Sequence, residues 1–274
     1  PVSGIWQTVW LESVPETYIQ KLNIENRGYS VTISTVPALE GKVTVAGLGE
    51  CALENGSVTI TPENPRLWSP EDPQLYDFTV EAGEDTVASY FAIRSLEVKK
   101  VGAYPRLCLN GKPHYFHGLL DQGYFPDGID LPASPDGYRH DIEAVKALGF
   151  DTLRKHIRLD DPYFYYFCDL CGICVFQDFV NNGEYSFLRD TALPTVGIRR
   201  GIRRRASDIQ KQNFIRAADG MAQLLYNHPS VVYYTIFNEG WGQFDPDTLY
   251  RRYHDMDNTR IWDATSGWFS ELES

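Results

Sequence analysis

The apolar run Val231-Val232-Tyr233-Tyr234-Thr235-Ile236-Phe237 ends at Asn238-Glu239-Gly240-Trp241. A carboxyl group at the mouth of an apolar strand is poorly solvated as an anion, which raises its pKa and leaves it a proton to give near neutral pH. Trp241 beside it offers an aromatic face for the apolar side of a sugar ring. The bland alternative is an exposed turn acid after a buried strand, which this one feature does not exclude.

Three other strand-like segments end in polar residues. Arg154-Lys155-His156-Ile157-Arg158 closes one, and a period of two puts Arg154 and His156 on the same face. Cationic side chains pointing inward need acidic or polyol partners, because burial without them is costly. Gln177 and Asp178 close another, and Asp121, Gln122 and Gly123 follow a third. Each cluster alone reads as ordinary helix capping. Four consecutive strands with polar clusters at one end predict a polar, saccharide-like site.

Two kinds of element must position these residues. From Tyr18 to about Arg94 the pattern alternates with period two, as in Leu22 and Ile24 or Val31 and Ile33. Turn signals at Asn26-Arg27-Gly28, Gly47-Leu48-Gly49, Asn55-Gly56 and Glu81-Ala82-Gly83 divide it into short strands, which predicts a β-sandwich of immunoglobulin-like size. After Lys100 strands alternate with helices. Strands are expected at His114–Gly118, Thr152–Leu159, Ile173–Phe179, Val231–Asn238 and Ile261–Thr265. Helices are expected from Ser134-Pro135 to Leu148, with Tyr138, Ile142, Val145 and Leu148 on one face, and at Pro162–Leu170, Ser207–Tyr226 and Pro246–Asp257. Ser207 and Gln210 form a capping-box signature, and Phe214, Ala217, Met221 and Leu225 are expected to face inward.

Strict alternation implies a parallel sheet covered by helices, and no glycine-rich phosphate fingerprint follows its first strand. That favours a (β/α)8 TIM barrel over a dinucleotide-binding sheet. The stretch from Lys112 to Ser274 is shorter than the ~200 to 250 residues of a closed barrel, so the barrel is expected to be incomplete. The fold class is therefore multidomain β plus α/β, an immunoglobulin-like sandwich followed by part of a barrel.

Composition excludes several classes of function. The 274 residues carry a net charge of −12 and are 43% apolar and 14% aromatic, which rules out global disorder and disfavours nonspecific binding to nucleic acid. No apolar run approaches the ~20 residues that span a bilayer, and the first residues lack a signal core, so no membrane partner is expected and the compartment stays open. Cys168, Cys171 and Cys174 have metal-like gaps, but helix and strand should carry them apart, and no metal site is expected. The basic run Arg199, Arg200, Arg203, Arg204 and Arg205 reads as a helix entrance or subunit contact, in a Val180-to-Arg204 stretch long enough to form a lid. His254 reads as a solvated or packed helical residue.

Asn238-Glu239 after an apolar strand, with Gly149-Phe150-Asp151-Thr152-Leu153-Arg154-Lys155-His156 and Asn110-Gly111-Lys112-Pro113, resembles glycoside hydrolase family 2, the β-galactosidase, β-glucuronidase and β-mannosidase group. Leu67-Trp68-Ser69-Pro70, Leu75-Tyr76 and Tyr90-Phe91-Ala92-Ile93-Arg94 resemble that family's immunoglobulin-like domain. Gly4 to Glu12 resembles the end of its jelly-roll domain. The resemblance implies a domain division at 1–12, 13–100 and 101–274. Ala92 stands where the family usually has Gly, and Lys155-His156-Ile157-Arg158 replaces the Ser-His-Tyr-Pro of many β-galactosidases.

Carried over residue by residue, the resemblance implies that Glu239 is the general acid/base of a retaining β-glycosidase and that Asn238 meets the sugar 2-hydroxyl. Arg154 would support the carboxylate cluster, with His156, Asp121, Asp178 and Trp241 around the substrate. The family nucleophile is a second Glu at the end of the seventh strand, and the chain is expected to stop near the fifth. The implied nucleophile is then absent and the chain inactive alone, because retaining hydrolysis needs two carboxyls ~5 Å apart. No cofactor is required, and a divalent or monovalent cation is compatible without being indicated. The expected partner is a carbohydrate, and a homo-oligomer is compatible. The alternative is a noncatalytic carbohydrate-binding or assembly module.

Overall fold

The computed structural model describes residues 9–128, 130–180, 186–198, 206–240 and 242–267. The first unit is built from β1 (Lys21–Arg27), β2 (Ser30–Val36), β3 (Gly41–Val45), β4 (Gly49–Leu53), β5 (Ser57–Ile60), β6 (Tyr76–Ala82) and β7 (Asp85–Phe91). They form two antiparallel sheets of order β1-β2-β5 and β4-β3-β6-β7. Alternation does the sorting: Leu22, Ile24, Val31, Ile33, Val43, Val45, Phe78 and Val80 point between the sheets and form one core. A small antiparallel sheet of β8 (Leu96–Val101), β9 (Tyr104–Leu109) and β10 (Lys112–Pro113) follows.

The second unit runs β11 (Gly118–Asp121), α1 (Asp136–Ala147), β12 (Thr152–Lys155), α2 (Pro162–Cys171) and β13 (Cys174–Asp178). A π-helical turn at Phe187–Ala192 and the single turn α3 (Leu193–Thr195) lead to α4 (Asp208–Leu225), β14 (Val231–Phe237), α5 (Pro246–Met256) and β15 (Ile261–Thr265). All five strands pair in parallel in chain order, β11-β12-β13-β14-β15. Adding each strand beside its predecessor without reversal is the winding of a barrel, since a dinucleotide-binding sheet reverses at a switch point. The chain is thus a β-sandwich followed by five strands of a TIM barrel.

Four local expectations shift, one of them the strand expected at Thr152–Leu159, which ends at Lys155 before the left-handed Ile157 at φ 47°. The first barrel strand lies at Gly118–Asp121 instead of His114–Gly118. Asp151 explains why: it meets Nε2 of His114 at 2.9 Å and accepts the His117 N–H at 2.8 Å, holding residues 114–117 outside the ladder while Phe116 packs on Phe176. In α4 the buried residue is Ala218, and Ala217 is exposed, because the apolar face is centred on Phe214, Ala218, Met221, Ala222 and Leu225. Leu148 is 73% exposed because it caps α1, just before Gly149 turns the chain away at φ 91°. The Ser207–Gln210 capping box forms as expected. Cys168 packs with the helices and Cys174 on the opposite face of the sheet.

The sandwich closes the amino-terminal end of the barrel strands. Arg94, just past β7, is buried and donates from Nε to Pro229 O at 2.6 Å, from Nη1 to Thr259 O at 3.1 Å and from Nη2 to Val231 O at 3.2 Å. Those carbonyls sit at the starts of β14 and β15, so one side chain satisfies groups the ladder leaves open. Burial and the nearby Arg260 push Arg94 down to about 9, which keeps it charged at neutral pH. Asp169 at the end of α2 is the second tie. Its carboxylate accepts from the Tyr90 hydroxyl at 2.7 Å, from His228 Nδ1 at 2.6 Å and from the Ser230 N–H at 2.8 Å. Its carbonyl takes the Trp68 indole N–H at 2.8 Å. The C-cap Gly172 is obligatory here: it is left-handed at φ 74°, and a Cβ would meet Pro70 O at 2.8 Å.

Arg94→Ala removes the donor from Pro229 O and Thr259 O, while Val231 O keeps Arg260 Nε at 3.0 Å, and is expected to lower the unfolding free energy measured in urea by about 3 kcal/mol, with Arg94→Lys recovering part of it. A second expectation concerns acid. Burial pushes the Asp257 carboxyl up, but Arg260 and Thr259 outweigh it, so the group lies below its ordinary range. Its contribution is complete above the unfolded value of ~3.9 and is lost as pH falls through the folded one. Stability measured from pH 5 to 2 should therefore fall less steeply in Asp257→Asn, from a lower plateau.

Candidate active site at the carboxyl ends of the strands

Parity along β12 decides which side chains can meet. Leu153 and Lys155 face the helices, and Arg154 faces the barrel interior beside Phe176 of β13 and Leu120 of β11. Asp178, two residues beyond Phe176, reaches the same side and is fully buried. Arg154 grips it with two bonds, Nε to Oδ1 at 3.1 Å and Nη2 to Oδ2 at 3.0 Å. Burial pushes the Asp178 carboxyl up, against the pull of Arg154.

The same guanidinium reaches the next strand, where Nη2 donates to Asn238 Oδ1 at 2.8 Å. Asn238 is 2% exposed, and its oxygen also accepts from the Ser266 hydroxyl at 3.2 Å. Its Nδ2 lies 3.1 Å from His156 Nε2, and His156 Nδ1 lies 3.2 Å from the side-chain amide of Gln122. Arg154, His156, Asp178 and Asn238 therefore converge in one cluster.

Glu239 follows in the left-handed region at φ 52°, ψ 14°, a conformation that costs a non-glycine residue ~1 kcal/mol or more. Its N–H is held by Ser266 Oγ at 2.9 Å, so the residue after β15 fixes both Asn238 and Glu239. Glu239 itself is half-buried, neither sealed beneath hydrocarbon nor fully in solvent. Deeper in the interior, Asp263 of β15 accepts from the Thr265 N–H at 3.2 Å and from the Tyr233 hydroxyl, and burial pushes its carboxyl up. The Tyr233 ring stacks on Phe176 at 4.6 Å.

Asp121 does not join this cluster. It pairs in register with Lys155, so it faces the helix side, where Lys155 Nζ contacts it at 2.6 Å and Asp160 at 2.6 Å. That ammonium is 1% exposed and lies 4.0 Å from the Phe164 ring centre, so the group organises the turn after β12. Gln122, one residue on, is the one that turns to His156. Ser266 carried no role in the sequence, and Gln122 figured there only as a member of a strand-end polar cluster. The signal for Gln122 was the period of two, usable only with β11 at its true position. Trp241 and the basic run at 199–205 lie outside the described residues. Among the described residues, no group of three or more His, Cys, Asp or Glu could hold a metal ion, and no helix is long and apolar enough to cross a membrane.

A β-galactosidase of Enterobacter cloacae is 27% identical over 213 residues, covering 76% of this chain and 19% of that protein. Among solved structures, the β-D-glucuronidase of Dictyoglomus thermophilum superposes with a TM-score of 0.71 at 20% identity, covering 90% of this chain and 44% of that one. The β-glucuronidase of Parabacteroides merdae gives 0.63 at 19%, covering 89% and 33%. The chain thus spans less than half the length of these proteins. The model of glycosyl hydrolases family 2 matches residues 11–94, and that of the family's TIM barrel domain matches residues 100–272. With both models matched in order across sandwich and barrel, the chain belongs to glycosyl hydrolases family 2.

Proposed function

We propose that this chain carries the acid/base half of a retaining β-glycosidase site, with Glu239 as the general acid/base. The observation that carries the reading is the arrangement at the end of β14: Asn238 pinned by Arg154, and Glu239 held in a strained turn directly after it. In the first step a carboxylate nucleophile bonds to the anomeric carbon while the bond to the leaving oxygen breaks, and Glu239 gives that oxygen its proton. In the second step Glu239 takes a proton from water as the water oxygen attacks the same carbon and releases the nucleophile. Asn238 donates to the sugar 2-hydroxyl, and Arg154 fixes Asn238 against Asp178. The substrate is a terminal β-linked sugar.

The nucleophile of that cycle is supplied from outside these residues. Asp263 is already committed to Tyr233 and the Thr265 N–H, and its place within β15 suits structure better than attack. The chain alone is then inactive, although it keeps part of the sugar contact.

Purified chain is expected to give no release of 4-nitrophenol from β-galactosides, β-glucuronides or β-mannosides. Turnover abolished by Glu239→Gln would overturn the half-site reading. In a chain that includes the remaining barrel strands, Glu239→Gln should lower kcat/KM for poor leaving groups by about 10³, spare dinitrophenyl glycosides, and respond to azide. Equal loss on both substrate types would remove Glu239 from the acid role. Arg154→Ala there should lower kcat by about 10²-fold through misplacement of Asn238, with KM less affected. Absence of turnover in that longer chain, with sugar still bound, would favour a noncatalytic module.

A further inference from the structure

The carboxamide of Asn238 allows a complete hydrogen-bond account. An amide oxygen accepts two bonds and its nitrogen donates two. Arg154 Nη2 can only donate, so the group it meets at 2.8 Å must be the oxygen, and the Ser266 hydroxyl fills the second lone pair. That fixes the other terminus as nitrogen. It faces His156 Nε2 at 3.1 Å, and an N–H there demands an unprotonated ring nitrogen. A neutral imidazole with Nε2 free carries its hydrogen on Nδ1. Nδ1 lies 3.2 Å from Gln122 Nε2, which would leave two amide N–H groups facing a ring that can accept only one, so one amide must turn and present its oxygen. Of the two amides, Asn238 is buried and pinned, whereas Gln122 is exposed and free to turn, so Gln122 is the one that adapts.

We propose that Gln122 and His156 are positioning residues that fix Asn238 as a donor-only contact for its ligand. Gln122 accepts from Nδ1–H of His156, Nε2 accepts one Asn238 N–H, and Arg154 and Ser266 occupy both lone pairs of the Asn238 oxygen. One N–H of Asn238 remains, and no described residue takes it. The sugar hydroxyl that meets Asn238 must therefore accept, and its own hydrogen is left to point at a different acceptor. His156 is not a sugar contact in this arrangement, because both its ring nitrogens are spent. The assignment to a sugar hydroxyl rests on the glycosidase reading, whereas the tautomer does not.

The test is long-range 1H–15N correlation of the histidine rings in the labelled chain, with the His156 signals identified by their loss in His156→Gln. The expected pattern is a neutral ring with a protonated Nδ1 and a pyridine-like Nε2. Asn238→Asp replaces the donor by an acceptor, so the hydrogen should move to Nε2. Gln122→Ala should keep the Nδ1–H form but speed its exchange with water. A wild-type ring protonated at Nε2, or averaging between forms, overturns the relay, and the wild-type spectrum decides this even if Asn238→Asp does not fold.

A binding arm separates the two readings. A methyl β-glycoside should bind about 10-fold more tightly than its 2-deoxy analogue, and Gln122→Ala should shrink that ratio to about 2-fold. A ratio unmoved by Gln122→Ala overturns the relay's part in ligand contact. Failure of either sugar to bind, with the expected tautomer present, overturns the assignment of the free Asn238 N–H to a sugar hydroxyl in this chain and leaves the relay as a feature of the fold.

Discussion

The guanidinium of Arg154 joins three strands at their carboxyl ends: it rises from β12, grips Asp178 of β13 and holds Asn238 after β14. An ion pair buried this way contributes little net stability, because the cost of drying both charges offsets most of their attraction. Its value lies in geometry. The planar fork meets a carboxylate through two parallel bonds and still has a donor left for a third partner, which lysine could not do with the same fixed direction. Removing Asp178 or Asn238 would free Arg154 to swing, and the remaining partner would lose its orientation.

The two ends of the parallel strands are treated differently. At the amino ends, Arg94 and Asp169 spend their bonding capacity on backbone groups and on the sandwich. At the carboxyl ends, side chains bond to one another and, among the described residues, leave the Glu239 carboxyl and one Asn238 N–H unspent. A cationic side chain that donates to three carbonyls holds a floor. A site needs groups whose positions are fixed and whose chemistry is not exhausted. The sandwich thus contributes to the site by keeping the strand starts in register, far from any ligand.

Strand–helix alternation, the capping box at Ser207 and the convergence of Arg154, His156, Asp178 and Asn238 were readable in the sequence because burial on one face writes a period into the residues. Two things were not. Residues 114–117 are aromatic and read as strand, yet Asp151 captures their polar atoms and delays β11 by four residues. That delay sets which side Asp121 faces. With β11 at its true register Asp121 pairs with Lys155, and Gln122 belongs to the site. The role of Ser266 was also hidden, since a hydroxyl between two strand ends has no periodicity and shows itself only when the chain is folded.

Ser266 also ties the turn after β14 to the fifth strand. Glu239 leaves β14 in a left-handed turn that its side chain disfavours, and such a turn persists only where its surroundings over-determine it. Two constraints do so from either side. Arg154 on β12 fixes Asn238, and Ser266 beyond β15 receives the Glu239 N–H while donating to Asn238. With β15 absent, the turn would lose its second anchor and relax toward ordinary backbone, and Glu239 would leave its place beside Asn238. The strands up to β14 supply Asn238 and Glu239, and the residue after β15 supplies the bonds that hold both in this conformation.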